Sequence, residues 1–370
     1  MRLFKNHFKP SPTAGKKTNS APWRTAVGID ISQYAVKMVQ LTGSSLNQIR
    51  LEKYAITQLP PDIIKGNKIQ DYDLLVTYLQ HTYTQLQSNC KIFIAALPHS
   101  MATLEHAVYR TDGPGTQNDW ETFAEMQATQ IGPFEDMNYD YCRIRPNSRS
   151  EEQKILIAAG KKDDIEPRAE MFEHALLPLH ALDIDLIAQR NAVAHWLNRH
   201  APDLAHEKTA VFGIYDTQMY ALVLQSGEIL YRQETAIGSE QLNQLVQSHY
   251  QTSEEQARYT INAADKPDDY QIQVADRFNL QITQEIRRVL QFYYTTQPSD
   301  SQSAIKHILL TGPASQQNGL AELVFAHTNT PAQCVYPALE ADKNERIDLA
   351  RLQTDAPSLT LAFGLALRGL

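Results

Sequence analysis

Two stretches of the chain, about half its length apart, repeat the same order of apolar runs and polar turns. The first predicts strands over residues 26–30, 36–41 and 48–57, and the second over residues 210–214, 220–225 and 228–234. Short apolar runs separated by turns that contain Gly, Ser and Asn are typical of strands joined into a meander. Two copies of such a meander in one chain predict a duplicated domain.

Helices are predicted where apolar residues recur at helical spacing. Residues 71–87 carry Leu and Tyr in this pattern and precede an apolar strand over residues 91–97, which predicts a crossover helix that feeds a parallel strand. Further helices are predicted over residues 120–130, 163–176, 240–250, 253–264 and 358–370, and further strands over residues 139–144, 154–159 and 305–311. This alternation of helices and strands predicts an α/β protein.

The length of 370 residues is sufficient for two domains at about 100 to 200 residues each. We predict a flexible basic tail over residues 1–24, a first half over residues 25–185 with an inserted subdomain at about residues 100–180, and a second half over residues 186–370. The tail carries six Lys and Arg residues and no Asp or Glu. It is therefore either a solvated segment or a weak contact with an anionic membrane surface.

Composition excludes several classes of function. A net charge of −8 argues against nucleic-acid binding, which depends on Lys and Arg side chains that neutralise phosphates. Three scattered cysteines predict neither a disulfide framework nor a zinc site, and they favour a reducing, cytoplasmic compartment. The longest apolar runs have the length of strands and fall short of the roughly 20 residues that a membrane span needs. Among the scattered histidines, we interpret His99 and His106 as surface or packing residues.

Three predicted junctions between a strand and a turn, at residues 28–32, 213–217 and 311–314, would face one cleft if the two halves oppose each other. Turns at strand ends expose backbone N–H groups, so two opposed turns can hold a polyphosphate. In that arrangement Asp30 would hold Mg²⁺ through water, while Ser32 and Lys37 would contact phosphate. Two alternatives stay open: Asp30 bonds only its own turn, and Lys37 faces solvent from a strand.

Four segments resemble a known family when they are taken in this order. They are AVGIDISQYAVKMVQL at residues 26–41, EMQATQIGPFEDMNYDY at 125–141, ALDIDLIAQRNAV at 181–193 and LAFGLALRGL at 361–370. Together they resemble the PilM branch of the actin-like superfamily, the cytoplasmic component of type IV pilus assembly that is similar to FtsA. The resemblance implies a duplicated actin-like (ribonuclease H-like) fold, with two lobes around a nucleotide cleft and an inserted small α+β subdomain.

The resemblance also implies a nucleotide site for ATP and Mg²⁺. It assigns Asp30, Ser32 and Lys37 to the first phosphate loop; Ile214, Tyr215, Asp216 and Thr217 to the second; Gly238 to the ribose; Glu255 to a nucleotide-facing helix; and Gly312 and Ala314 to the adenosine loop. The second loop departs from the Asp-Ile-Gly sequence usual in the family, because the chain has Gly213-Ile214-Tyr215 there. Since a metal-orienting carboxylate is missing, we expect no catalytic residue and at most a very weak ATPase. Gln189 is interpreted as a helix-surface residue, with polarisation of a water molecule as the alternative.

The partners implied by the resemblance are proteins of the pilus machine. They are the N-terminal cytoplasmic tail of a PilN-like membrane protein and, through it, PilO and the secretin complex, with the pilus motor ATPases as further neighbours. This implies a cytoplasmic adaptor at the periphery of the inner membrane, acting in twitching motility or DNA uptake competence. Three alternatives stay open: a sugar or acetate kinase-like enzyme of the same superfamily, a filament-forming cytoskeletal protein, and a competence-linked or degenerate paralogue.

Overall fold

The computed structural model describes residues 24–45, 48–110, 120–144, 152–263, 265–296 and 304–370. The predicted basic tail therefore lies outside the described residues, apart from Arg24. Within the described ranges the strands form sheets of six, five and three strands and one short hairpin.

The elements of the first part of the chain are, in order, β1 (Arg24–Ile31), β2 (Ala35–Ser45), β3 (Gln48–Gln58), β4 (Ile64–Lys65), β5 (Lys68–Ile69), α1 (Tyr72–Leu86), β6 (Phe93–Leu97), β7 (Ala102–Arg110), α2 (Trp120–Ile131), β8 (Met137–Ile144), β9 (Glu152–Lys161), α3 (Lys162–His174), β10 (Leu179–Ile184), α4 (Asp185–His200) and α5 (Pro202–Ala205). The remaining elements are β11 (Thr209–Ile214), β12 (Met219–Gln225), β13 (Glu228–Thr235), α6 (Ser239–Tyr250), α7 (Glu254–Asn262), α8 (Asp276–Thr296), β14 (His307–Thr311), α9 (Leu320–Thr328), β15 (Ala332–Cys334), α10 (Pro337–Glu340), β16 (Asp342–Lys343), α11 (Leu349–Asp355) and α12 (Thr360–Arg368).

The first lobe contains the six-stranded sheet, in the order β10-β6-β1-β2-β3-β16. Strands β1, β2 and β3 form the predicted antiparallel meander. Strand β6 pairs parallel with β1 after the chain crosses over through α1, which confirms the predicted crossover. Asp71 precedes α1 and caps it, because its side chain accepts a hydrogen bond from the backbone N–H of Leu74.

The second lobe repeats this arrangement in a five-stranded sheet of order β13-β12-β11-β14-β15. Strands β11, β12 and β13 form an antiparallel meander, and β14 pairs parallel with β11 as β6 does with β1. Strand β11 is buried along its whole length, as expected for a central strand. Helices α6 and α8 bury apolar residues against this sheet, among them Val246 and Phe278. The predicted duplication is confirmed by these pairings.

A third, smaller sheet lies between β6 and α3 in the chain. Its strand order is β7-β9-β8, all pairs are antiparallel, and α2 packs on one face against Ile155 and Ile157. The other face brings Leu104 into contact with apolar residues of α4 and the second sheet, such as Trp196 and Leu222. The three-stranded sheet and α2 together are called the inserted subdomain below.

The end of the chain returns to the first lobe. Strand β16 pairs parallel with β3, and α12 packs against β1, β2 and α4. Helices α12 and α4 approach so closely that a Cβ atom at Gly364 would lie 1.9 Å from the carbonyl oxygen of Ala188. The two lobes therefore share a tightly packed helix pair at the base of the space between them.

Candidate functional site

The turns that end β1 and β11 border one cleft between the lobes. The first lobe contributes Asp30, Ser32 and Lys37, and the second contributes residues 215–217. These side chains enclose a cavity of about 90 Å³. Typical pockets for small ligands measure about 300 Å³ or more. The structure thus brings the residues of both predicted phosphate loops to one cavity, but the cavity is small.

Lys37 is paired with residues of its own loop. The side chain of Lys37 is only 5% exposed, and its Nζ donates hydrogen bonds to Asp30 Oδ2 at 3.1 Å and to Ser32 Oγ at 3.2 Å. The register of β1 and β2 places Asp30 directly opposite Lys37. Burial raises the pKa of the Asp30 carboxyl, although the Lys37 ammonium opposes that change. Burial lowers the pKa of Lys37, but the carboxylates of Asp30 and Asp216 outweigh it and raise that pKa overall. The solvent-facing position considered for Lys37 is therefore wrong.

Tyr215 fills part of the cleft from the second lobe. Its side chain is 7% exposed, and its ring lies 5.3 Å from that of Tyr220. The ring rests against Gly213, where a Cβ atom would lie 2.3 Å from Gln189 Oε1 and 2.6 Å from Tyr215 Cε2, so a side chain at this position would displace both residues. Among the described residues none accepts or donates a hydrogen bond at Tyr215 Oη. Burial, reinforced by the nearby carboxylates of Asp30 and Asp185, raises the pKa of this phenol well above its usual value, so it stays neutral.

The first turn of α6 bonds to the second loop through its backbone. The N–H of Ser239 donates to the carbonyl of Tyr215 at 2.8 Å, and the N–H of Glu240 donates to the carbonyl of Asp216 at 2.9 Å. The N–H of Gly238 donates to the side chain of the third residue of α6 at 2.7 Å. Free N–H groups at a helix start bind anions. Here these donors are already engaged within the protein.

The other predicted site residues do not line the cavity. Ile214 is buried in the core of the second lobe, and Ala314 packs in the same core. Gly312 lies beside Ile214, whose carbonyl oxygen would be 2.5 Å from a Cβ atom at position 312. Glu255 is exposed on α7. The surface position expected for Gln189 is wrong, because its side chain is fully buried beneath the cleft and its Nε2 donates to the carbonyl of Tyr220.

A charged cluster next to the cavity joins the lobes. His99, which follows β6, lies 3.1 Å from Asp185 at the start of α4 and 2.7 Å from Glu234 on β13. Tyr220 on β12 donates its hydroxyl to the same Asp185 at 3.0 Å and meets the His99 ring edge-on at 4.9 Å. Burial alone would lower the pKa of His99, but the hydrogen bonds to Asp185 and Glu234 raise it to about 9. Protonated His99 therefore holds both lobes and the connecting helix together.

A second contact crosses the mouth of the cleft. The guanidinium of Arg258 on α7 stacks over the ring of Tyr34, at 3.8 Å from the ring centroid, and Arg258 also pairs with Glu254. Tyr34 belongs to the turn between β1 and β2. Such a cation–π contact is worth about 0.5 to 1 kcal/mol at an exposed site and more when desolvated. Helix α7 thus reaches the first lobe through Arg258.

In the described conformation the residues of the cleft do not fit ATP with Mg²⁺. The cavity of about 90 Å³ is too small, and the ring of Tyr215 lies between the two loops. The carboxylate of Asp30 is paired with Lys37 rather than free for a hydrated metal. Across the described part of the chain, no three His, Cys, Asp or Glu side chains converge on a metal position.

The duplicated meanders, the helix pair beneath the cleft and the inserted subdomain define a two-lobed α/β protein of the actin-like fold. The same fold is found in a PilM-PilN type IV pilus biogenesis complex, with a TM-score of 0.74 and 19% identity over 93% of this chain and 98% of that one. It is also found in the ethanolamine utilization protein EutJ from Carboxydothermus hydrogenoformans, with a TM-score of 0.56 and 14% identity over 94% of this chain and 91% of that one.

The sequence itself places the chain in a family. Residues 28–370 match the profile of the family described as type IV pilus assembly protein PilM, and the chain belongs to that family. The match covers both lobes and the inserted subdomain, so the resemblance drawn from four short segments is confirmed. None of the described helices combines the length and the apolar character that crossing a bilayer demands.

Proposed function

We propose that the chain is a cytoplasmic adaptor of type IV pilus assembly that binds the N-terminal cytoplasmic tail of a PilN-like membrane protein. The observation that carries this proposal is membership of the PilM family over residues 28–370. The fold shared with the PilM-PilN complex supports it. A binding role also suits the cleft, since Asp30 and Lys37 neutralise each other instead of facing a substrate.

The inserted subdomain is the place where we propose that the tail docks. Met126 on α2, with 51% of its surface exposed, is the large apolar side chain that we propose as an anchor for the tail. Val108 on β7 is 46% exposed but shares the sheet face of Leu104, on the side opposite α2. Strands β7 and β8 form the two edges of the small sheet. Edge strands present backbone groups to an extended peptide, and exposed apolar side chains give such a peptide anchoring contacts.

The test is a calorimetric titration of the full chain with a synthetic PilN-like tail peptide. We expect saturable binding at one peptide per chain, and none with a scrambled peptide. Met126→Asp should weaken binding about tenfold or more, because it places a charge in an apolar contact. Phe325→Asp on α9 is the matched control, since Phe325 is similarly exposed at 49% but lies in the second lobe. Absence of binding to the wild-type chain would remove the adaptor function.

We also propose that ATP with Mg²⁺ binds to a form of the protein in which the cleft is more open than in the described conformation. In that form Asp30 would hold the hydrated metal, and Ser32 and Lys37 would contact the phosphates. We propose little or no hydrolysis, because Gly213-Ile214-Tyr215 supplies no carboxylate at the position where the family usually has one. The tail titration repeated with MgATP, together with an assay of phosphate release, tests both points. Phosphate transfer to a small acceptor would favour a kinase-like enzyme instead, and sedimentation with ATP would favour a filament.

The wider setting follows from the same proposal. Through the PilN-like protein the adaptor would reach PilO and the secretin complex, with motor ATPases as further neighbours, at the cytoplasmic side of the inner membrane. The processes served would be twitching motility and DNA uptake. Deletion of the gene should abolish both processes, and restoration by the wild-type chain but not by Met126→Asp would link them to the proposed docking surface.

A further inference from the structure

The side chain of Tyr215 stands where the two phosphate loops face each other. It borders the cavity together with Asp30, Ser32 and Lys37 of the opposite lobe. The ring is nearly inaccessible to solvent, at 7% exposure, and the cavity beside it measures only about 90 Å³. A ligand with a phosphate chain cannot enter between the loops while the ring keeps this position.

The Tyr215 ring is not held in this position by a hydrogen bond of its hydroxyl. Tyr215 Oη is buried and makes no hydrogen bond to any of the described residues, whereas the hydroxyl of the neighbouring Tyr220 lies within hydrogen-bond distance of Asp185 and of Gln218. A buried hydroxyl without a partner is unfavourable. The ring is kept in place by packing against Gly213, against Tyr220 and within an apolar cluster that includes side chains of α12 and α4. Such packing can be undone when the lobes separate.

The groups that would otherwise hold phosphate are engaged by the protein itself. Lys37 bonds Asp30 and Ser32, and the N–H groups of Ser239 and Glu240 bond the carbonyls of the second loop. Each of these hydrogen bonds lies within one lobe, so the groups that could hold phosphate are already engaged on both sides of the cleft. Tyr215 Oη is buried between them without a hydrogen-bond partner among the described residues.

From these contacts we propose that Tyr215 is an internal competitor of nucleotide: its ring occupies the phosphate end of the cleft and closes it, and a nucleoside triphosphate binds only by displacing it. This inference rests on the proposed binding of ATP and adds the residue that limits the affinity for it. The measured affinity for nucleotide equals the intrinsic affinity reduced by the fraction of molecules in which the ring has moved out.

The test compares wild-type chain with Tyr215→Ala and Tyr215→Phe by titration with a fluorescent ATP analogue in Mg²⁺, with unlabelled ATP as competitor. Tyr215→Ala should bind about 10- to 100-fold more tightly than wild type, the range expected from the burial of one aromatic ring. Tyr215→Phe keeps the ring, so its affinity should stay near that of wild type. Tyr215→Leu fills less of the cleft and should give an intermediate affinity, which keeps the test usable if the alanine variant is unstable.

Three results would overturn the inference: equal affinity of wild type and Tyr215→Ala, an affinity of Tyr215→Phe as high as that of Tyr215→Ala, or failure of every folded variant to bind the analogue. Circular dichroism and thermal melting report whether each variant is folded. The same preparations are titrated with the tail peptide. If no preparation, wild type included, binds the peptide, only the adaptor function is contradicted. If all preparations bind the peptide but Tyr215→Ala has the same nucleotide affinity as wild type, only the role of Tyr215 is contradicted.

Discussion

Replacement of His99 by glutamine should weaken the connection between the lobes in a manner that depends on pH. Protonated His99 pairs with Asp185 at 3.1 Å and with Glu234 at 2.7 Å, and thereby joins the first lobe to α4 and to β13. Glutamine has a similar reach and can keep a hydrogen bond, but it carries no charge. The substitution therefore removes mainly the ionic part of the interaction.

The magnitude follows from the pKa of His99. Its pKa is about 9 in the folded protein, against a usual value of 6.5. A shift of one pKa unit corresponds to about 1.4 kcal/mol, so the charged form stabilises the folded state by about 3 kcal/mol. Because the folded pKa is the higher one, this contribution is complete below about pH 6.5. It decreases as the pH rises toward 9 and is lost above that value.

The assay is urea unfolding of wild type and His99→Gln at several values between pH 6 and pH 9.5. The difference in unfolding free energy should be about 3 kcal/mol at pH 6 and should approach zero near pH 9.5, apart from a constant offset. His327→Gln on α9 is the matched control, since His327 is exposed and no ion pair is expected to be lost. A difference that does not change with pH would refute the proposed charge on His99.

Four further substitutions test other contacts by the same urea assay. Tyr220→Phe should lower the unfolding free energy by about 1.5 to 3 kcal/mol, because the carboxylate of Asp185 loses a buried donor. Tyr215→Phe should be neutral or slightly stabilising, because the Tyr215 hydroxyl has no partner to lose among the described residues. Equal costs for the two variants would contradict this difference in hydrogen bonding. Trp196→Phe should cost about 1 to 2 kcal/mol, because the indole N–H donates to a carboxylate on α10 at 2.6 Å. Gly364→Ala should cost about 3 kcal/mol or more, because the added methyl group meets the backbone of α4; a variant as stable as wild type would show that the two helices are less tightly packed than described.

Much of the fold could be predicted from the sequence because its main signals are local. The apolar runs of both meanders and the helical spacing of residues 71–87 depend only on nearby residues, and the observed elements agree with them. The helix predicted over residues 253–264 rests on the same kind of local signal, and the observed α7 is capped by Ser253, whose side chain accepts a hydrogen bond from the backbone N–H of Gln256. The pairing of β16 with β3 has no such local signal, because it joins a two-residue strand near the end of the chain to a strand near its start.

The candidate site could be predicted only in part, for the same reason. Asp30, Ser32 and Lys37 lie within one hairpin, so their proximity follows from the short turn between the two predicted strands, and the observed register pairs Asp30 with Lys37. His99 contacts Asp185, which lies 86 positions later in the chain, and Glu234, which lies 135 positions later. From the sequence alone we interpreted His99 as a surface or packing residue. The burial of Gln189 also depends on how α4 packs beneath the second lobe. Contacts of this kind are set by the arrangement of the lobes and not by spacing along the chain.

The proposed recognition of a membrane partner's cytoplasmic tail can be measured by co-purification. The full-length chain is purified with a PilN-like membrane protein that is expressed either intact or without its N-terminal cytoplasmic tail. We expect the chain to be retained by the intact partner and lost when the tail is removed. Equal retention by both forms, or by neither, would show that the chain does not recognise the tail.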